Sequence, residues 1–295
     1  LICVHFRQFY EKLIYPFRTA PKSSSKNDEV EKREERDQGN NEEEQERCTE
    51  RVRDEDRILL ASRDGQYFYT YDGSYLISRK MNGLISFRTE IGQGLQSLDV
   101  HPLTGIVLGV ENTTSLGNSL IMLDYHGFLR RRLVNTPLIH GLCVSPDGKY
   151  IFATDKNWKM ALLDPTLNTV VEKNLPPYSC GSFFGAEFSH DSSSLLAAVG
   201  GICLYSVPSL ELLWRRKAPG EITGIAWLAD GKRFAITTRN GHLVIYSSSG
   251  NVLGKWVLEG NGIEGLASFK GTRNIIAVTT QDGYYYGLEV PTQSL

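Results

Sequence analysis

Asp99 in "LQSLDV", His140 in "LIHGLCV", Glu187 in "GAEFS" and Glu264 in "IEGLAS" lie in four different short apolar runs. Three carboxylates and an imidazole brought together are the donor set of a divalent cation site, and such a cation can activate a bound water. The same four groups can instead accept hydrogen bonds along a rim. Geometry separates the two readings, by whether the side chains converge within ligand reach. Nothing else in the chain has the form of a reaction centre. The six histidines (His5, His101, His126, His140, His190, His242) are scattered. His101 and His190 fall in equivalent turns, and Asp124 and Asp164 in another equivalent pair, so turn-forming roles are expected of them. GxSxG, GxxxxGK[ST] and a GxGxxG between strand and helix are all absent. The expectation is no catalytic residue, no metal and no cofactor.

The totals narrow the classes further. The chain has 295 residues, a hydrophobic fraction of 41% and a formal net charge of −2. No global field attracts nucleic acid, and no nucleic-acid partner is expected. The five cysteines (Cys3, Cys48, Cys143, Cys180, Cys203) form no CxxC pair or Cys/His cluster, which argues against a zinc site and a disulfide framework. An odd number of free thiols suits a reducing compartment, so a cytoplasmic or nuclear location is expected. No apolar stretch approaches the roughly 20 residues that span a bilayer.

What positions the candidate residues is a repeat. From residue 57 to 295 short apolar runs alternate with Gly, Asp and Asn turns. Six units begin near Asp56, Leu95, Leu138, Ser182, Ile222 and Ile263, and each holds up to four strands. After the first strands come "SRDG", "HPLTG", "SPDG", "SHDSS", "LADG" and "FKGT"; after the second come turns such as "YDG", "RNG" and "QDG". Asp-Gly and Asn-Gly suit tight hairpins because positive φ costs little there. The second runs, such as "RFAIT" and "IIAVTT", have few polar interruptions, as strands buried on both faces require. The fourth runs, such as "LRRRLV" and "LLWRRKA", carry the charge that protects an outer edge.

Four short antiparallel strands repeated about every 40 residues predict an all-β fold, a β-propeller with about six four-stranded blades. The units resemble the WD40 and YVTN propeller repeats, best in "CVSPDGKYIFATDKNWKMALLDP" with Asp164 closing the third strand. The Gly-His and Trp-Asp pairs of WD40 repeats are missing, so the resemblance is one of pattern over about 240 of the 295 residues. It implies a non-catalytic protein-interaction scaffold, a subunit of a larger assembly, with protein partners. An alternative is a propeller enzyme of the lactonase or quinoprotein kind, with its site over the central channel. On the scaffold reading, loops between second and third strands share one face with those between fourth and first strands, and that face binds the partner. They offer Asp155, Lys156 and Trp158 in "TDKNWKM", Asn112 in "ENTTSLGN", Arg239 in "TRNG" and Asp282 in "TQDG". Trp158 stands out because Trp is enriched at binding hot spots.

The first 56 residues are a different material. Residues 26–56 carry 14 acidic and 7 basic side chains, so residues 19–56 are expected to be a charged, disordered linker. Residues 1–18 are apolar and basic. A membrane-tethered adaptor is the third functional reading, with membrane contact and a membrane-associated location through this segment. The sixth unit lacks a fourth strand, since only "PTQSL" follows "YYYGLEV". "LICVHF" at the start of the chain is one candidate to supply it; a seventh blade beyond a cut-short chain is the other.

Overall fold

A computed structural model of the chain describes residues 57–62, 65–111, 117–137, 139–155, 159–174, 183–199, 201–259, 262–269, 271, 273–282 and 285–291. The expected "LICVHF" strand and the whole of 1–56 lie outside these. The described residues form 23 strands in six antiparallel sheets, each a simple meander. Blade 1 is β1 (Arg57–Ala61), β2 (Tyr67–Tyr71), β3 (Tyr75–Lys80) and β4 (Ile85–Glu90). Blade 2 is β5 (Leu95–His101), β6 (Gly105–Val110), β7 (Ser119–Leu123) and β8 (Leu129–Val134). Blade 3 is β9 (Ile139–Val144), β10 (Ile151–Asp155), β11 (Lys159–Leu163) and β12 (Thr169–Asn174). Blade 4 is β13 (Phe183–Phe188), β14 (Ser194–Val199), β15 (Ile202–Ser206) and β16 (Leu212–Arg216). Blade 5 is β17 (Ile222–Trp227), β18 (Arg233–Thr238), β19 (His242–Ser247) and β20 (Val252–Val257). Blade 6 is β21 (Ile263–Ser268), β22 (Ile275–Thr280) and β23 (Tyr285–Glu289), with no fourth strand among the described residues. Six units begin where the repeat predicts.

The core lies between blades rather than within them. The second strands β6 and β18 are buried at every position, because each face meets a neighbouring blade. In blade 5, Phe234, Ile236, Val244 and Tyr246 point toward blade 4 and pack with Leu196, Leu204 and Trp227. The alternate residues Ala235, Leu243 and Ile245 point the other way, onto Ile276 and Val290 of blade 6. Period-two alternation therefore fills two joints from one strand. Joints 1–2, 2–3 and 3–4 have cores of their own. Joint 4–5 holds a cluster of aromatic rings: Phe234 stacks on Tyr246 at 5.1 Å and meets Trp227 edge-on at 5.6 Å. Between blades 6 and 1 no such core is found among the described residues. β1 approaches β5 over a short stretch, whereas β5–β9, β9–β13, β13–β17 and β17–β21 lie broadly side by side.

The outer strands are exposed and mostly charged. β8 carries Arg130, Arg131 and Arg132, and β16 carries Arg215 and Arg216. β20 has only Lys255, and its Val252 and Val257 are exposed. Gly105 shows how tightly the hairpins fit. Its φ is +132°, and a Cβ built there would lie 2.0 Å from the Leu123 carbonyl oxygen.

Candidate functional site

The two acidic residues of the metal-ligating set whose side chains the structure describes turn out to share one role. Asp99 lies in β5, and its Oδ2 accepts the N–H of Val144 in blade 3 at 2.7 Å. Glu187 lies in β13, and its Oε2 accepts the N–H of Trp227 in blade 5 at 2.7 Å. The two carboxylates do the same thing at different joints. Each takes a backbone N–H at the end of the next blade's first strand, where no strand partner reaches it. An ionised acceptor makes this bond stronger than a neutral one. The side chains of His140 and Glu264 lie outside the described ones. Among the described residues no group of three or more His, Cys, Asp or Glu is placed to hold a metal ion.

His101 also works at joint 2–3. It is fully buried, and its Nδ1 accepts the N–H groups of Leu103 and Thr104, each at 3.1 Å. That leaves Nε2 as the protonated nitrogen, 2.8 Å from the Gly148 carbonyl in blade 3. A Cβ at Gly148 would come within 3.0 Å of this ring, and one at Gly231 would meet the His190 ring at 3.4 Å. Both histidines therefore sit against the turn glycine of the following blade. Asp124 and Asp164 are turn formers in blades 2 and 3. Asp124 Oδ1 accepts the N–H groups of His126 and Phe128; Asp164 Oδ1 accepts those of Thr166 and Asn168. Burial opposes ionisation of Asp124, but the Phe128 and His126 N–H groups and Arg130 outweigh it and hold the carboxyl below its ordinary range. For Asp164 the Thr166 hydroxyl is the largest influence, followed by the Asn168 N–H, and the direction is the same.

The loop face is made by the second-to-third turns and by the connections between blades. Arg239 and Glu221 bring the two together, pairing at 3.0 Å while both stay well exposed. The Arg239 N–H also donates to the Glu221 carbonyl. Asp282 occupies the same turn one blade on, exposed, with its Oδ1 accepting the Thr280 hydroxyl at 2.6 Å. Asp155 is buried, and its Oδ1 accepts the Lys159 N–H at 2.9 Å, which closes the mouth of its hairpin. Asn112, Lys156 and Trp158 lie outside the described residues. The structure adds members that the sequence reading passed over. Glu111 accepts a hydrogen bond from Gln96 at 3.0 Å, and Glu259 is exposed beyond β20. Blade 1 contributes Asp72, which caps Ser74 and Tyr75 and pairs with Arg88 at 3.0 Å. Glu259 stands in a connection between blades, whereas Glu111 and Asp72 stand in second-to-third turns that the sequence reading quoted without singling them out.

Comparison with known proteins supports the fold. No protein-family model matches the chain, and no curated protein does. Among the solved structures that match is the β-propeller domain of Cps50 (Swd1) from Myceliophteria thermophila. It superposes with a TM-score of 0.64 at 14% identity, over 79% of this chain and 81% of that one. At that identity the likeness is one of fold: this chain folds as a β-propeller.

Proposed function

We propose that the protein is a non-catalytic scaffold whose loop face binds another protein, as one member of a larger assembly. One observation carries the reading. Asp99 and Glu187, the described polar groups best placed for chemistry near the axis, are each committed to a neighbouring blade's backbone. What the frame leaves to solvent is the rim. Arg239, Glu221 and Asp282 stand on it, Glu259 is exposed between blades 5 and 6, and Glu111 is partly exposed in the corresponding turn of blade 2. Rigid blades fix these positions, and a preorganised surface loses little entropy on binding. On this reading Trp158 supplies the apolar anchor, as the residue type most enriched at binding hot spots.

Affinity purification of the full chain, with Trp158→Ala and Arg239→Glu beside it, tests the proposal. A partner held by the parent protein should be weakened by about 2 kcal/mol or more in Trp158→Ala, as at a hot spot. Melting should change little. A Trp158→Ala protein that binds normally removes the anchor. Failure of any protein to co-purify stoichiometrically with the parent chain refutes the scaffold.

A further inference from the structure

Leu103, in the first turn of blade 2, is 74% exposed, and Phe128 and Leu129, where the outer strand of that blade begins, are 69% and 57% exposed. The other blades show that the fold does not call for apolar residues there. Ser145, Ser189 and Leu228 open the same turn in blades 3, 4 and 5, and two residues after them stand Asp147, Asp191 and Asp230. Each of these carboxylates accepts a backbone N–H two residues on, from Lys149, Ser193 and Lys232. Leu103 stands two residues after His101, which ends β5. In blade 2 the His101 ring accepts the turn's N–H groups itself, so position 103 is relieved of that task. The third-to-fourth turn departs in the same way. The N–H of Phe128 donates to Asp124, just as that of Asn168 donates to Asp164 and that of Asn251 to Ser247. The side chain at this place is a phenyl ring in blade 2 and a carboxamide in blades 3 and 5.

The two turns form one corner. The Tyr125 hydroxyl donates to the His101 carbonyl and so ties the third-to-fourth turn to the first-to-second turn. In an antiparallel meander both turns lie on the face opposite the loop face. Exposed apolar side chains gathered in one place mark an interaction site. Charge narrows its kind. β8 runs on from Leu129 with Arg130, Arg131 and Arg132, and residues 124–134 hold one acid against these three, the buried Asp124. Arg130 pairs with it at 2.8 Å yet keeps most of its surface in water. Apolar tips on two turns of one face can enter a flat surface together, while the guanidinium groups behind them stay at its polar level.

We propose that this corner of blade 2 docks the protein on an anionic lipid surface. Leu103, Phe128 and Leu129 enter the boundary between headgroups and acyl chains, and Arg130 and Arg131 lie against the anionic headgroups. Long cationic side chains suit that depth, since their stems are apolar and their heads reach the polar layer. An acidic protein would answer the arginines too. What favours lipid is a second stretch of matching chemistry in the sequence: residues 1–18 are dense in apolar side chains and carry Arg7, Lys12 and Arg18 against Glu11. Two modest contacts with one membrane reinforce each other. Docked by this corner, the disc turns its loop face, with Arg239 and Asp282, away from the lipid. The lipid contact does not depend on what that face binds.

Co-sedimentation of the full chain with vesicles tests this, using phosphatidylcholine alone and phosphatidylcholine mixed with phosphatidylserine. The protein should bind the mixed vesicles, bind the neutral ones more weakly, and come off as salt is raised. Leu103→Asp combined with Phe128→Asn installs the residues that blade 3 carries at the same turns, so melting should be unchanged. Affinity for the mixed vesicles should fall about tenfold or more. If that pair melts lower than the parent, Leu103→Asp alone carries the test, with a loss of about threefold or more expected. Leu213→Asp alters an exposed leucine of blade 4 and should bind as the parent does. Variants at the corner that bind like the parent place the lipid contact elsewhere in the chain and overturn the proposal. An equal loss in Leu213→Asp overturns it as well. A parent protein that ignores both kinds of vesicle also overturns it, and leaves the corner to a protein partner.

Discussion

Glu187→Ala is the sharpest test of the carboxylates as staples between blades. Trp227 is 1% exposed, and its N–H donates to Glu187 Oε2 at 2.7 Å. With the carboxylate gone, that N–H is buried without its ionised acceptor. The cost of a lost hydrogen bond to a charged group is about 1.5–3 kcal/mol. For a domain of this size each kcal/mol moves the melting temperature by roughly 2–4 °C, so a drop of about 4–8 °C is expected for a loss near 2 kcal/mol. Glu187→Gln keeps an oxygen in place and should lose less than about 1 kcal/mol, the difference between a charged and a neutral acceptor. Asp99→Ala acts through Val144 at joint 2–3, with no shared partner, so the double variant should show the sum within about 0.5 kcal/mol. Chemical denaturation at pH 7 reads all four proteins. An unchanged midpoint for Glu187→Ala would refute the staple and return Glu187 to the candidates for chemistry.

Two further outcomes follow from the turns. Asp164 is held below its ordinary range by the Thr166 hydroxyl first and the Asn168 and Thr166 N–H groups after it. A depressed carboxyl contributes stability above its unfolded value of about 3.9, lost as pH falls through the lower folded value. The stability difference between the parent and Asp164→Asn should therefore shrink on acidification below about pH 4, measured by urea titration at a series of pH values; a pH-independent difference would contradict it. Gly105→Ala should destabilise by at least about 2 kcal/mol, because positive φ and the Leu123 carbonyl both exclude a side chain; normal melting of that variant would show that the hairpin yields.

The repeat was legible because blade geometry writes itself locally. Turn glycines, uninterrupted second strands and charged fourth strands each follow from the burial of one position in the unit. The six starting points match the first strands. The roles of Asp99 and Glu187 were less legible. Their partners are backbone N–H groups 45 and 40 residues away, and a backbone donor leaves no residue type in the sequence. Only their matched places in two units hinted at a shared task. The pairing of Arg239 with Glu221 was hidden for another reason. The whole of β17 and β18 lies between them, and only the return of the hairpin brings them together.

The staples run only from one blade to the next, so the molecule is a chain of links and not a block. Cutting a link in a fully bonded ring leaves every blade still held from one side. Among the described residues, packed joints link blades 1 to 6 in order. Order passes along such links from neighbour to neighbour, so damage at one joint is felt first by the two blades that share it.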